Sequence, residues 1–308
     1  MGRRNKKGRD ITGIIVIDKP TGRSSNHVLQ HVKRLFDAKK AGHTGSLDPL
    51  ATGVLPICLG EATKVSSYLL DADKNYQVTC QLGTVTDSSD SDGNIIDTKP
   101  IPKFTEQTLL GLIPQFIGEQ DQVPPMFSAL KHQGQPLYKL ARQGIEIERK
   151  ARRITIYDIR LLGVTESTFS LEVSCSKGTY IRTLVEDISF ALGCGGHVSM
   201  LRRIKAAGYD ITRALTLEQL ERHAQQGLLS LDALLLPTED ALPEWPPIIA
   251  SESQVTALRQ GQKISTTSTF DSANVRLFDL NQTFIGLGEM SPDGSVAPKR
   301  VFVLSEQA

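Results

Sequence analysis

Short apolar, β-branched runs recur along this chain, but helical segments do not follow them one for one. Residues 11–17 and 54–59 read as buried strands, because each run is brief, nearly continuous in apolar residues and closed by turn residues. Tyr76, Val78, Cys80 and Leu82 alternate with polar neighbours, the period of a strand buried on one face. Residues 152–164 and 168–175 read as two further strands in direct succession. A doubly wound parallel sheet needs strand and helix to alternate, so that architecture is excluded. The expected class is α+β, a mixed and mainly antiparallel sheet with helices and loops around it.

Helices are expected where caps and period agree. Ser24 or Ser25 can cap a helix whose inner face is Val28, Val32, Leu35 and Phe36. Residues 61–70 carry a helical pattern, and residues 180–192 another that stops at Gly193. Residues 86–103 are acidic and turn-rich, which predicts a surface loop. Residues 105–150, with a helix, a hairpin-like FSALKHQGQ and a short helix near 137–142, read as an insertion on the core sheet. The Pro-rich LPEWPP at 242–247 predicts a boundary, giving domains at 1–241 and 246–308. The second is expected to hold a helix at 253–260 and strands at 274–280, 283–288 and 296–304.

The overall charge of +1 conceals a block pattern. Residues 1–40 hold 11 Lys and Arg against 3 Asp and Glu, and residues 149–213 hold 11 against 6. Residues 41–148 hold 7 against 13, and residues 214–308 hold 6 against 12. Two basic blocks could join into one phosphate-binding face, although such blocks are more commonly solvated surface. Cys58, Cys80, Cys175 and Cys194 are scattered without a CxxC pair, which argues against a zinc site and a disulfide framework. The apolar run after the basic start is too short for a secretory core, and no run approaches the roughly 20 residues of a membrane span. The expected compartment is the cytoplasm, with no membrane association.

The densest chemical signal is Gly42-His43-Thr44-Gly45-Ser46-Leu47-Asp48-Pro49-Leu50-Ala51-Thr52-Gly53. Its glycines permit close backbone approach, but no Gly-Lys-Ser/Thr follows, so it is not a phosphate-cradling loop. Asp48-Pro49 alone reads as a helix start, Asp as the cap and Pro in the first turn. His43 beside Asp48 reads either as an acid/base pair or as a polar loop contact.

The wider pattern resembles the TruB family of tRNA pseudouridine synthases over nearly the whole chain. DKPTGRSS (18–25) is similar to its first motif and AGHTGSLDPLATGVLPICLGEATK (41–64) to its catalytic one. KNYQVTCQLGTVTDSSDSDG (74–93), SKGTYIRTLVEDIS (176–189) and LRRI (201–204) resemble the remaining blocks in order. The resemblance implies the pseudouridine synthase fold with a helical and hairpin insertion, followed by a small PUA-like β domain for RNA. It implies Asp48 as the catalytic carboxylate, Arg182 as its partner and Tyr76 as the aromatic group packed on the uracil, which also takes a proton. It further implies Tyr180 and Leu201 as pocket walls, His43 in the space vacated by a flipped nucleotide, and Lys19 at the substrate site. Each has a plainer reading as well: Tyr76 as a half-buried strand residue, Arg182 as a surface group on an amphipathic helix, Tyr180 and Leu201 as core.

The implied substrate is the T-arm uridine at position 55 in standard tRNA numbering, with no cofactor, metal or obligate protein partner. Turning uridine into pseudouridine breaks C1′–N1 and joins C1′ to C5, adding and removing no atom. The carboxylate can capture C1′ or deprotonate C2′; the sequence is compatible with both. Three rival readings remain: a guide-RNA-dependent synthase of the dyskerin type, a non-catalytic RNA chaperone, and a hydrolase built on His43 and Asp48. The insertion, including PPMFSALKHQGQPLY, resembles the stand-alone bacterial enzymes. The joint presence of Asp48 and Arg182 favours catalysis over binding alone.

Overall fold

The computed structural model describes residues 8–268 and 270–302. The opening MGRRNKK of the first basic block and the last two residues of the strand expected at 296–304 lie outside the described residues. In chain order the first unit contains β1 (Gly13–Lys19), α1 (Ser25–Leu35), β2 (Ala41–His43), β3 (Thr52–Leu59), α2 (Ser66–Leu70), β4 (Lys74–Leu82), β5 (Thr84–Thr86) and β6 (Ile95–Thr98). It continues with α3 (Glu106–Leu112), β7 (Gly118–Gln122), β8 (Lys131–His132), β9 (Gln135–Pro136), α4 (Leu137–Ala141), β10 (Arg152–Val164), β11 (Thr168–Cys175) and α5 (Ile181–Ala191). It closes with β12 (Gly196–Ala206), β13 (Tyr209–Asp210), α6 (Leu217–Gln225) and α7 (Leu228–Asp232).

The large sheet runs β1-β3-β12-β4-β11-β10-β7, with β2 on β3 and β13 on β12. Its strands pair antiparallel except β12 with β3, which run parallel through Arg202↔Thr52 and Arg203↔Gly53. This is the expected mixed, mainly antiparallel sheet. The two kinds of apolar pattern find their cause in what covers each strand. β1 and β3 are buried on both faces, so their sequences are continuous apolar runs. Ile15, Ile17, Leu55 and Ile57 pack with Val28, Val32 and Phe36 of the α1 segment and with Leu217, Leu220 and Leu231. Ile14, Val16, Val54 and Cys58 face the other way. β4 and β11 alternate because one face alone meets α5. Tyr76, Val78, Cys80 and Leu82, with Phe169, Leu171 and Val173, pack beneath Ile181, Leu184, Val185 and Ile188. Each such buried aliphatic side chain stabilises the fold by about 1.5–3 kcal/mol.

Local signals account for most ends. Ser24 caps α1, its hydroxyl accepting a hydrogen bond from His27 N. α5 ends at Ala191, two residues before Gly193, whose φ of +103° suits a residue without Cβ. The pattern at 61–70 is not one helix: a 3-10 turn over Gly60–Lys64 is followed by the short α2.

One further expectation fails, and one strand lay outside the expectations. Residues 86–103 are not simply surface, since Thr86, Ser88, Ser89 and Asp90 are buried against the sheet. Ser91 N and Val198 N bond across to Val198 O and Ser89 O, fastening this loop to β12. β12 itself was missed, because Arg202, Arg203 and Lys205 break the apolar pattern of a central strand.

The second sheet runs β14-β16-β17-β18-β15, from β14 (Pro247–Ile249), β15 (Ile264–Ser265), β16 (Asn274–Phe278), β17 (Phe284–Met290) and β18 (Ser295–Val301). Helix α8 (Glu252–Arg259) lies against it, its inner residues Val255 and Leu258 sharing a core with Val275, Leu277 and Ile285. This is the small PUA-like β domain. The LPEWPP segment is not a free tether: Leu242 and Trp245 are buried. They join Phe284, Leu287 and Phe302 in one cluster with Ile14, Val16 and Val54 of the large sheet. Tyr68 meets Trp245 edge to face at 4.8 Å.

Candidate active site

Between β2 and β3 the chain leaves the sheet as a loop that carries Asp48. No helix begins at Asp48-Pro49; instead Ala51 N donates to Asp48 O at 3.1 Å, closing a turn before β3. The reading of Asp48 as a helix cap is therefore set aside.

Buried side chains from distant segments hold this loop. Ser25 Oγ donates to Leu47 O at 3.0 Å and accepts from Leu47 N at 2.7 Å. Lys19 Nζ donates to the carbonyls of Pro20, Arg23 and Pro49 at 2.8, 2.6 and 3.3 Å. Arg203 Nε donates to Val54 O at 2.8 Å and Nη2 to Gly45 O at 3.1 Å. Such bonds fix a loop in place of the helix or sheet partners it lacks.

The carboxylate meets Arg182, placed in the first turn of α5. Arg182 Nε lies 3.0 Å from Asp48 Oδ2, and Nη1 lies 3.2 Å from Asp90 Oδ2. Nη1 also donates to Ser88 O and Nη2 to Phe127 O, both at 2.7 Å. The guanidinium is thus fully engaged and only 4% exposed. Asp90 is 6% exposed, whereas 41% of the Asp48 side chain remains open although protein surrounds it deeply. That surrounding pushes the Asp48 carboxyl above its ordinary range; Arg182 opposes the shift most strongly and Asp90 adds to it.

Asp48 and Arg182 stand in a cleft of about 790 Å³. His43, Ser24 and Asn26 form part of its wall, Asp90 and Asn94 another part, and Phe127, Tyr138 and Arg142 of the insertion a third. Such a volume is within the range of small-molecule pockets. His43 Nδ1 is enclosed without a hydrogen-bond partner among the described residues. Burial first, and the charge of Arg203 second, hold its pKa below the usual histidine value, favouring the neutral ring.

The other expected residues sit behind the wall. Tyr76 on β4 is buried, paired across the sheet with Val173 and Arg203. Burial raises its phenol pKa, and the charge of Arg203 opposes the rise most strongly. Leu201 on β12 is core, opposite Val78. Tyr180 precedes α5, its backbone gripped by Gln122, which accepts from Tyr180 N at 2.8 Å and donates to Tyr180 O at 3.1 Å. Lys19, expected at the substrate site, is wholly buried beneath the loop with its ammonium given to three carbonyls. Burial brings its pKa down to about 8.

Sequence reading missed Asp90, Ser25 and Arg203. Asp90 stood within the TDSSDSDG block and Arg203 within LRRI, so the motifs held them while composition hid them. The second basic block is only in part an open face: Lys150, Arg152, Lys205 and Arg213 are exposed, and others are not. Arg182 and Arg203 are internal, Arg202 pairs with Asp18 at 2.7 Å, and Arg160 pairs with Glu172 at 3.0 Å. Among the described residues no group of three or more His, Cys, Asp or Glu is arranged to hold a metal, and no helix is long and apolar enough to cross a membrane.

Three family models match in succession: TruB family pseudouridylate synthase (N terminal domain) at 33–181, tRNA pseudouridylate synthase B C-terminal domain at 182–243, and Pseudouridine synthase II TruB, C-terminal, at 246–302. Proteins called tRNA pseudouridine synthase B are similar over nearly the full length. One from Shewanella sp. (strain ANA-3) is 50% identical over 99% of this chain and 98% of its own. One from Vibrio cholerae serotype O1 (strain M66-2) is 51% identical over 98% and 99%. One from Nitrosococcus oceani is 49% identical over 97% of each. Among solved structures, an H/ACA RNP bound to a substrate RNA containing 2′-deoxyuridine matches in fold at a TM-score of 0.73 and 23% identity, covering 96% of this chain and 86% of that one. A Cbf5-Nop10-Gar1 complex matches at 0.72 and 26% identity, covering 94% and 85%.

Proposed function

This chain belongs to the TruB family of pseudouridine synthases, and from that premise we propose that it isomerises uridine 55 in the tRNA T arm with Asp48 as the reacting carboxylate. It is a tRNA pseudouridine synthase, an isomerase. The observation that carries the residue assignment is the 3.0 Å contact between a partly open Asp48 and a fully engaged, buried Arg182 at the cleft.

The reaction needs an ionised carboxylate beside the sugar. Enclosure works against ionisation and the fixed charge of Arg182 works for it. Asp48 then either bonds to C1′ or removes the C2′ proton, and the C1′–N1 electron pair leaves with the uracil. The uracil turns while held and C5 joins C1′, as the Asp48–C1′ bond breaks on the first route or as Asp48 returns the proton to C2′ on the second; the C5 proton is then lost while N1 gains one. Tyr76 is assigned to hold the uracil face and accept the C5 proton, with Leu201 and Tyr180 as further walls. Because Tyr76 and Leu201 lie behind the present cleft wall, the assignment requires the pocket to open toward them as the nucleotide enters. Extruding the nucleotide from its stack costs a few kcal/mol; a neutral His43 ring in the vacated space offsets part of it. Lys19 supports the loop from below.

Residues 1–241 are assigned to catalysis and 246–308 to RNA contact, with the insertion over 105–150 closing one side of the cleft. No cofactor or obligate protein partner is required, and the compartment is the cytoplasm. The relatives at about half identity over the full length carry the tRNA name, while the H/ACA particle shares the fold at 23%; this favours tRNA itself over a guide-RNA complex. The test is to incubate the pure protein with unmodified tRNA and map the mass-neutral change. Pseudouridine at position 55 alone is expected; no isomerisation, or isomerisation elsewhere, would sink the assignment.

A further inference from the structure

Of the LRRI motif, Leu201 was assigned to the pocket, but the buried arginine was left without a role. Arg203 lies on β12 in the middle of the large sheet and is 1% exposed. Its Cα is in register with Gly53 of β3 on one side and with Tyr76 of β4 on the other. The approach to Gly53 is so close that a Cβ there would lie 2.1 Å from Arg203 O, and Gly53 has φ of +105°. The Asp48 loop is therefore seated on the backbone of this one residue.

Its side chain grips both feet of the same loop. The Nη2 bond to Gly45 O holds the point where the chain leaves the sheet, and the Nε bond to Val54 O the point where it returns. The Arg203 backbone lies beside Tyr76, its register partner on β4, and its charge favours ionisation of the Tyr76 phenol. No ion pair joins Arg203 to a carboxylate among the described residues. A buried cation is costly unless carbonyls or charges compensate it, and an apolar residue would serve a merely structural strand position at lower cost. The carbonyls of the Asp48 loop are what this charge serves.

We propose that Arg203 is a positioning residue for the isomerisation, a strut that holds the Asp48 loop beside its strand neighbour Tyr76 and sets the spacing between them. This rests on the assignment of Asp48 and Tyr76 made above. The Asp48–Arg182 contact sets the charge of the carboxylate; the Arg203 strut sets its place.

Arg203→Lys and Arg203→Met in the full chain test this, alone and combined with Tyr76→Phe, with wild type and Asp48→Asn in parallel. The readouts are tRNA affinity, the single-turnover rate of pseudouridine formation, and thermal unfolding. The single-turnover rate should fall by roughly 30-fold or more in Arg203→Met and less in Arg203→Lys, while affinity stays within about threefold. The losses should fail to multiply with that of Tyr76→Phe, because the spacing that Arg203 sets matters only while the Tyr76 hydroxyl is there to act. A folded Arg203→Met with near wild-type rate would overturn the proposal, as would a loss confined to tRNA affinity or losses that multiply fully. Unfolding of both variants would overturn it too, by making Arg203 a requirement of the fold. Wild type that makes no pseudouridine would instead sink the functional assignment itself, whatever the variants do.

Discussion

Two loops bring a carboxylate to the same guanidinium, and they differ in nearly everything else. Asp48 rides on a loop anchored from below by Lys19, Ser25 and Arg203, each bonding backbone. Its side chain is free of the loop's own hydrogen bonds and remains 41% open. Asp90 is fixed by its own loop: Ser88 Oγ donates to Oδ1 at 2.5 Å and Asp92 N donates at 3.1 Å. It is closed off from solvent. One carboxylate is held by its backbone and stays open to the cleft; the other is held by its side chain and enclosed. The arginine between them is pre-organised by Asp90, Ser88 O and Phe127 O before any substrate arrives.

This contrast predicts unequal damage. Arg182→Ala removes the counter-ion of Asp48 and leaves Asp90 buried without a counter-charge. A loss of roughly 10²–10³-fold in single-turnover rate is expected, with tRNA affinity much less affected. Asp90→Asn keeps the shape and Arg182, so its loss should be smaller, about tenfold. If Asp90→Asn were the more harmful of the two, the division into reacting and supporting carboxylate would be reversed. Tyr76→Phe should bind tRNA and turn over slowly, by about 10²-fold if the hydroxyl accepts a proton. Wild-type rates in Tyr76→Phe would reduce the tyrosine to a stacking surface.

The open carboxylate also has a signature in pH. Its raised pKa means that the folded chain binds this proton more readily than the unfolded chain. Stability is therefore lost as pH rises from the ordinary aspartate value near 3.9 through the raised one, and the cost is present in full above it. Thermal unfolding of Asp48→Asn should match or exceed wild type at pH 7, with the difference closing as pH falls below about 4. A clear drop in stability at pH 7 would mean that the charged pair with Arg182 outweighs the enclosure.

The smallest effect concerns the two domains. Neutralising Arg142, in the cleft wall, and Arg152, whose charge reaches Tyr180, should make tRNA affinity less sensitive to salt. The logarithmic slope should fall by about one for each phosphate left without its cation. Neutralising the exposed Lys263 and Arg300 of the acidic C-terminal domain should change it less. The reverse result would place the main phosphate-binding surface in that domain. Point variants are the right tool, because deleting 246–308 would strip Phe284, Leu287 and Phe302 from a core shared with Ile14, Val16 and Val54.

What the sequence made legible follows from how locally each feature is written. The alternation in β4 and the continuous apolar runs of β1 and β3 record which faces are covered, so those strands could be read directly. β12 could not, since its arginines are satisfied by Asp18 and by carbonyls of Gly45 and Val54, some 150 residues distant. The same holds for Asp90, which looked like one acid among many in a polar turn until the fold laid it against Arg182. Asp48 lacked any local signature stronger than a helix cap. Family resemblance singled it out, and geometry then supplied its partner.

The most direct test of the account is single-turnover pseudouridine formation by Asp48→Asn, with enzyme in excess and tRNA occupancy measured in the same samples. The expected result is a saturated complex, bound within a few-fold of wild type, that forms no pseudouridine over many wild-type half-lives. Near-normal conversion by the folded, tRNA-bound variant would contradict it, because the group held open beside Arg182 would then not be the one that opens the glycosidic bond.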